Sequence, residues 1–150
     1  MKPLTRVTLS ILLLALVLPL PVLADRTEAE GNLRRLLDRM RSQIDVVLAD
    51  GGEGGSWWVW NVSPGRYYQV DRTFYRGNTY VLAATGDSRV SDVDIKVYDE
   101  NWNVIDSDED SSNVALVSFT PSWTGVFHVR TINYSGQGTG SIGFVIAFRR

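Results

Sequence analysis

Ser91-Asp92-Val93-Asp94-Ile95-Lys96-Val97-Tyr98-Asp99 decides the fold of this chain, together with Gly125-Val126-Phe127-His128-Val129-Arg130 and Ser141-Ile142-Gly143-Phe144-Val145-Ile146-Ala147-Phe148. Each stretch is read as alternating apolar and polar residues with a period of two, which places one face of a strand on a core and the other in water. Strands of similar length recur on both sides, at 57–62, 66–74, 79–85, 104–107 and 114–120. Gly, Asn, Asp, Ser and Pro separate them, as in Ser63-Pro64-Gly65, Arg76-Gly77-Asn78 and Pro121-Ser122-Trp123-Thr124-Gly125. About eight short strands broken by turn residues predict an antiparallel β-sandwich, jelly-roll-like in its order. Residues 94–99 and 104–107 are expected to form a hairpin through Glu100-Asn101-Trp102-Asn103. After the Gly125 turn, Phe127 and Val129 should point inward, and His128 and Arg130 outward.

The N-terminus carries the pattern of a secretory leader. Lys2 and Arg6 precede an apolar run ending near Pro19 and Pro21, and Val22-Leu23-Ala24 fits the small-residue rule for cleavage. Residues 1–24 are therefore expected to be a signal peptide, leaving a mature chain that begins at Asp25 and is secreted or periplasmic. After cleavage no stable membrane span is expected, because the run is short for a span of about 20 residues.

The mature chain would hold 13 basic residues against 17 acidic ones, a net charge of −4. A nucleic-acid partner usually requires a basic face, so that class is excluded. There is no cysteine, hence no disulfide framework, and the core must supply the stability.

Between leader and strands lies a segment of different period. Thr27-Glu28-Ala29-Glu30 reads as a capping box, and Leu33, Leu36, Leu37, Met40, Ile44, Val47 and Leu48 recur at helical spacing. An amphipathic helix is expected within residues 25–49, followed by a glycine-rich linker at 50–55 and a β domain at 56–150. The linker would make the helix separable. Its apolar stripe could dock on the sandwich, associate with a second copy, or meet a membrane or partner.

Residues 78–148 resemble the bacterial pre-peptidase C-terminal domain, a β-sandwich found in exported proteins. The matching pieces are Gly77-Asn78-Thr79-Tyr80-Val81-Leu82, Asp92 through Asp99, Ser118-Phe119-Thr120-Pro121, Gly125 through Arg130, and the closing strand. The resemblance implies a non-catalytic module that binds a substrate or a surface, aids secretion, or packs beside a catalytic domain. Some related modules bind calcium. Ahead of the module this chain is expected to carry a helix and no protease domain.

Two residue groups are candidate sites. Asp106-Ser107-Asp108-Glu109-Asp110 places four carboxylates in five residues, with Asp92 and Asp94 in the preceding strand. Calcium takes six to eight oxygens, so Asp92, Asp94, Asp106, Asp108 and Asp110 are candidate ligands, although the EF-hand pattern is absent. The alternative is a solvated acidic loop that blunts an edge. The second group is aromatic: Trp57, Trp58 and Trp60, with Tyr68 and Trp102. Alternation sends Trp58 and Trp60 to one face and Trp57 to the other. An exposed aromatic face would stack on sugar rings; a helix docked over it would bury it instead. His128, the only histidine, lacks a nucleophile motif or a second metal ligand nearby in sequence, and no catalytic constellation is visible. The expectation is a non-enzymatic binding module whose partner is a protein or a cell-surface or carbohydrate ligand, with calcium as a candidate cofactor.

Overall fold

The computed structural model describes residues 24–49 and 55–150. The signal-peptide reading falls on residues 1–23 for the most part, outside the described residues. Helix α1 (Arg26–Gln43) is followed by nine strands: β1 (Val46–Leu48), β2 (Trp57–Val62), β3 (Arg66–Phe74), β4 (Tyr80–Gly86), β5 (Val90–Tyr98), β6 (Val104–Asp108), β7 (Val114–Phe119), β8 (Gly125–Gly136) and β9 (Gly140–Arg149). They form two antiparallel sheets. One runs β1-β9-β4-β7, with β2 also on β9; the other runs β3-β8-β5-β6. The expected β-sandwich preceded by one helix is the architecture found.

The core lies between the sheets. Leu82, Ala84, Phe144 and Ile146 from the first sheet meet Val93, Ile95, Val97, Phe127 and Val129 from the second. Phe74, Phe119 and Phe127 pack edge-on or tilted, with centroids 5.1–5.9 Å apart. Such pairs add about 0.5–1.5 kcal/mol each beyond their buried area. Phe127 and Val129 are buried, which matches the predicted register.

β4 and β9 are buried along both faces because α1 covers the outside of their sheet. Leu33, Leu36 and Met40 pack on Val81, Ala83, Val145 and Ala147. Gly143 permits the close approach, since a Cβ there would lie 3.1 Å from the Ala29 carbonyl oxygen and from Leu33.

Three local expectations are corrected. The N-cap is Asp25, not Thr27: its carboxylate accepts from the Glu28 amide at 3.0 Å, while the Glu28 side chain accepts from the Ser88 hydroxyl. The helix stops at Gln43 rather than residue 49, with Ile44 already extended (φ −139°, ψ 146°). The β-branched pair Val46-Val47 suits a strand better than a helix, and Val46, Val47 and Leu48 pair with Arg149, Phe148 and Ala147. Finally, β5 starts at Val90, ahead of the quoted Ser91–Asp99 stretch and of the 94–99 hairpin strand; register shifts around Asp92 keep it paired with β8.

β1 and β2 lie end to end on one edge of β9. The Ala49 amide donates to the Ile146 carbonyl, and the Ile146 amide donates to the Ser56 carbonyl. Both flanks of the glycine-rich segment are thus tied to the same residue, and α1 reaches the sheet through β1 before that segment begins. Ser63-Pro64-Gly65 does not close a hairpin, because β2 pairs with β9 and β3 with β8. The turn instead carries the chain from one sheet to the other.

Candidate functional site: the outer face of the four-stranded sheet

No described element packs across the outside of β3-β8-β5-β6 as α1 does across the other sheet. Cross-strand register sets its residues in rows. Asp71, His128, Tyr98 and Val104 form one row, and Gln69, Arg130, Lys96 and Ser107 the next. Tyr67, Ile132 and Asp94 form a third. Directly opposed side chains in such rows touch.

Trp102, from the β5–β6 turn, lies over the first two rows. Its indole stacks on His128 with centroids 4.2 Å apart and planes 8° from parallel. The Arg130 guanidinium lies 4.7 Å from the Trp102 ring, 4.3 Å from Tyr67 and 5.2 Å from Tyr98. Each such cation–π contact is worth about 0.5–1 kcal/mol where exposed. Arg130 Nε donates to Gln69 Oε1 at 3.1 Å, which fixes the plane of the fork. His128 Nδ1 and Asp71 Oδ1 are 2.8 Å apart, and this hydrogen bond holds the Asp71 carboxyl below its ordinary value. Tyr67 is 51% and Trp102 48% exposed. The expected outward placement of His128 and Arg130 holds, but Trp102 covers part of both.

The turn that presents Trp102 is strained. Trp102 has φ 66°, and among the described residues it is the only non-glycine with positive φ. A side chain there costs roughly 1–2 kcal/mol. Asp99 holds the conformation. Its Oδ1 accepts from the amides of Asn101 and Asn103, each at 2.8 Å, its Oδ2 accepts from Asn103 Nδ2, and its carbonyl accepts from the Trp102 amide. Those bonds, with the Asn103 side chain first, lower the Asp99 carboxyl. Strain held by an over-determined turn recurs where a side chain is positioned for contact.

Of the tryptophans picked from sequence, Trp102 lies at this site, and Trp57, Trp58 and Trp60 lie elsewhere. Trp58 and Trp60 face the interior: Trp58 stacks on Phe144 at 5.5 Å and Trp60 on Tyr68 at 3.9 Å. Trp57 faces α1, beneath Arg34 at 5.2 Å. These three therefore form no exposed platform, and of the five residues only Tyr68 and Trp102 are about half exposed. Trp123 plugs the end of the sandwich against Phe127. The residues that join Trp102 are Tyr67, Tyr98, His128 and Arg130. Alternation had already sent His128 and Arg130 outward; only register brings Tyr67 and Tyr98 to them.

The acidic residues come partly together. The loop after β6 folds back toward β5: Lys96 Nζ bonds Glu109 at 2.8 Å, raising the lysine and lowering the glutamate. Beneath it Asp94 is buried, and burial, followed by the charges of Asp92 and Glu109, pushes its carboxyl up to about 6. Burial also raises Asp92, whose Oδ1 is buried without a partner. Asp108 is engaged by the backbone, accepting from the Asp110 and Leu116 amides, and Asp106 accepts from the Ser107 amide. Among the described residues, no three carboxylate or imidazole groups are placed to hold a metal ion.

Fold and site define a class: a helix-backed antiparallel β-sandwich with an open aromatic and cationic face. No family model matches the chain, and no curated protein does. One similar solved structure comes from work describing Bacillus endospore appendages as a novel family of disulfide-linked pili. It is 12% identical, with 71% of this chain and 90% of that one covered. The TM-score is 0.32, too low to argue from.

Proposed function

We propose that this protein is an exported, non-catalytic binding module that contacts a protein on the cell envelope through the outer face of β3-β8-β5-β6. One observation carries the reading: Trp102 and Tyr67, each about half exposed, are grouped around the partly buried Arg130 and held in place on a face that no described element covers, while α1 covers the other sheet. Trp, Tyr and Arg are the residues that dominate binding energy at protein interfaces. The patch continues through Val104 (57% exposed) and Val126 (46%) on the same face. Exposed apolar residues gathered on one face support an interaction site there. The similarity of residues 78–148 to pre-peptidase C-terminal modules, which are generally non-catalytic, supports the same reading.

A second reading is a carbohydrate ligand. It is favoured by the half-open Trp102 ring with Gln69 and Asp71 beside it as hydrogen-bonding groups. Co-sedimentation of the labelled protein with envelopes of the producing cell tests both readings. Trp102→Ala and Tyr67→Ala should each weaken binding by about 30-fold, the scale of a hot-spot residue, and Trp57→Ala should not. Competition by soluble envelope polysaccharide would move the assignment to carbohydrate. Equal binding by all variants would overturn both readings.

A further inference from the structure

Asp87 is fully buried in the β4–β5 loop, and no Lys, Arg or His among the described residues forms an ion pair with it. Its Oδ2 accepts from the Ser141 amide at 2.9 Å and its Oδ1 from the Arg89 amide at 3.1 Å. The remaining partner is the backbone nitrogen of Asp25, 2.7 Å from Oδ2. Asp25 is the residue that the Val22-Leu23-Ala24 pattern marks as the first of the mature chain. A buried carboxylate held only by neutral donors lacks a counter-charge, and an unpaired buried charge is strongly unfavourable.

We infer that the Ala24–Asp25 bond is a processing site and that the new α-ammonium of Asp25 forms a buried ion pair with Asp87. A signal peptidase hydrolyses the bond: water supplies the hydroxyl to the Ala24 carbonyl carbon and protons to the departing nitrogen. Ala24 leaves as a carboxylate and Asp25 becomes –NH3+. The nitrogen does not need to move, because it already donates to Asp87. Hydrolysis turns a hydrogen bond in which only the acceptor is charged into an ion pair in which both partners are, and gives the buried carboxylate its counter-charge.

The surroundings are built for this. The Asp25 side chain caps α1 through the Glu28 amide, Ser88 donates to Glu28, and Asn32 Nδ2 donates to the Gly86 carbonyl. The loop thereby grips the first turns of the helix around the Asp25 nitrogen. Gly140 faces the same pocket, where a Cβ would lie 2.9 Å from Asp87 Oδ1. The other ionisable groups at this corner are the Asp25 carboxylate, Arg26 and Glu28 on α1, and Arg89 on the loop. Ser88 engages Glu28, and the Arg89 guanidinium donates to the Gln137 carbonyl. β9 contributes only the neutral Ser141.

This inference rests on the export reading, and the experiment separates the two. The chain is released from a fusion so that it begins at Asp25, and a second chain is released beginning at Ala24, which displaces the amine by one residue. At pH 6 the Asp25 chain should melt at least about 5 °C higher, which for a domain of this size corresponds to about one net charge interaction. Because pairing raises the ammonium's folded pKa above roughly 8, the gap is full at pH 6 and closes as pH rises through that folded value. Asp87→Asn should abolish the gap. Should that variant not fold, the α-amine is titrated directly by NMR in the unsubstituted chain, where the pairing predicts a value raised above the ordinary one. Equal melting of the two chains, or an unshifted amine, overturns the ion pair. N-terminal sequencing of the naturally exported protein should give Asp25 first; any other start overturns the processing site even where the engineered pair behaves as described.

Discussion

Trp102 offers the sharpest perturbation, because its backbone and its side chain pull in opposite directions. Replacing it with Ala removes the stack on His128, worth about 0.5–1.5 kcal/mol, and the Arg130 contact, about 0.5–1 kcal/mol. About half of the indole is buried, roughly 100 Å² of an aromatic side chain, or about 2.5 kcal/mol at 25 cal/mol per Å². These contributions overlap, so Trp102→Ala is expected to destabilise by about 2–4 kcal/mol. Alanine keeps a Cβ at φ 66° and so keeps the strain. Glycine adopts that angle without penalty and should recover about 1–2 kcal/mol. Trp102→Gly is therefore expected to be more stable than Trp102→Ala, the reverse of the usual order in regular structure. Urea unfolding followed by far-UV circular dichroism, with both midpoints at equal m-value, measures this. Alanine equal to or more stable than glycine would refute the left-handed turn held by Asp99.

Three further expectations follow from the packing and charge. Asp94, raised to about 6, favours its protonated form in the folded state; its contribution is fully present below the ordinary 3.8 and is lost as pH rises through about 6. Asp94→Asn should then stabilise the protein at pH 7 by on the order of 1–3 kcal/mol and flatten the pH–stability curve across that window, as thermal melts in a pH series would show. Leu33 is fully buried between α1 and the sheet, so Leu33→Ala should cost about 3–5 kcal/mol, and a cost below about 1 kcal/mol by urea unfolding would mean that the helix is not docked. Since Asp106 and Asp108 are engaged by backbone amides, millimolar calcium is expected to leave the melting midpoint where chelator leaves it; a rise of several degrees absent with magnesium would mean that the acidic loop closes on the ion.

The strands were legible because one face of most of them meets water. Phe127 and Val129 against His128 and Arg130 is the clearest instance, and the register followed from it. β4 and β9 carried a second signal. Tyr80-Val81-Leu82-Ala83-Ala84 and Phe144-Val145-Ile146-Ala147 are unbroken apolar runs, so the closing strand does not alternate as expected; it is buried on both faces, which such a run suits. They mark where α1 lands. The end of α1 was obscured because Val47 and Leu48 continue its helical spacing while pairing with β9. The open face was the least legible part. Tyr67, Tyr98 and Arg130 meet only through the pairing of β3, β8 and β5, and the φ of Trp102 depends on bonds that Asp99 makes within its turn. The burial of Asp87 likewise needs β9 and the start of α1 to converge on one loop.

Site-specific photo-crosslinking tests most directly which face meets the partner. A photoreactive phenylalanine at Tyr67 or Val104 reports on the open face, and one at Arg39 on the exposed side of α1. With the producing cell's envelopes, the two open-face positions should yield a discrete adduct and Arg39 none. An adduct at Arg39 with none at Tyr67 or Val104 would place recognition on the helix and contradict the account.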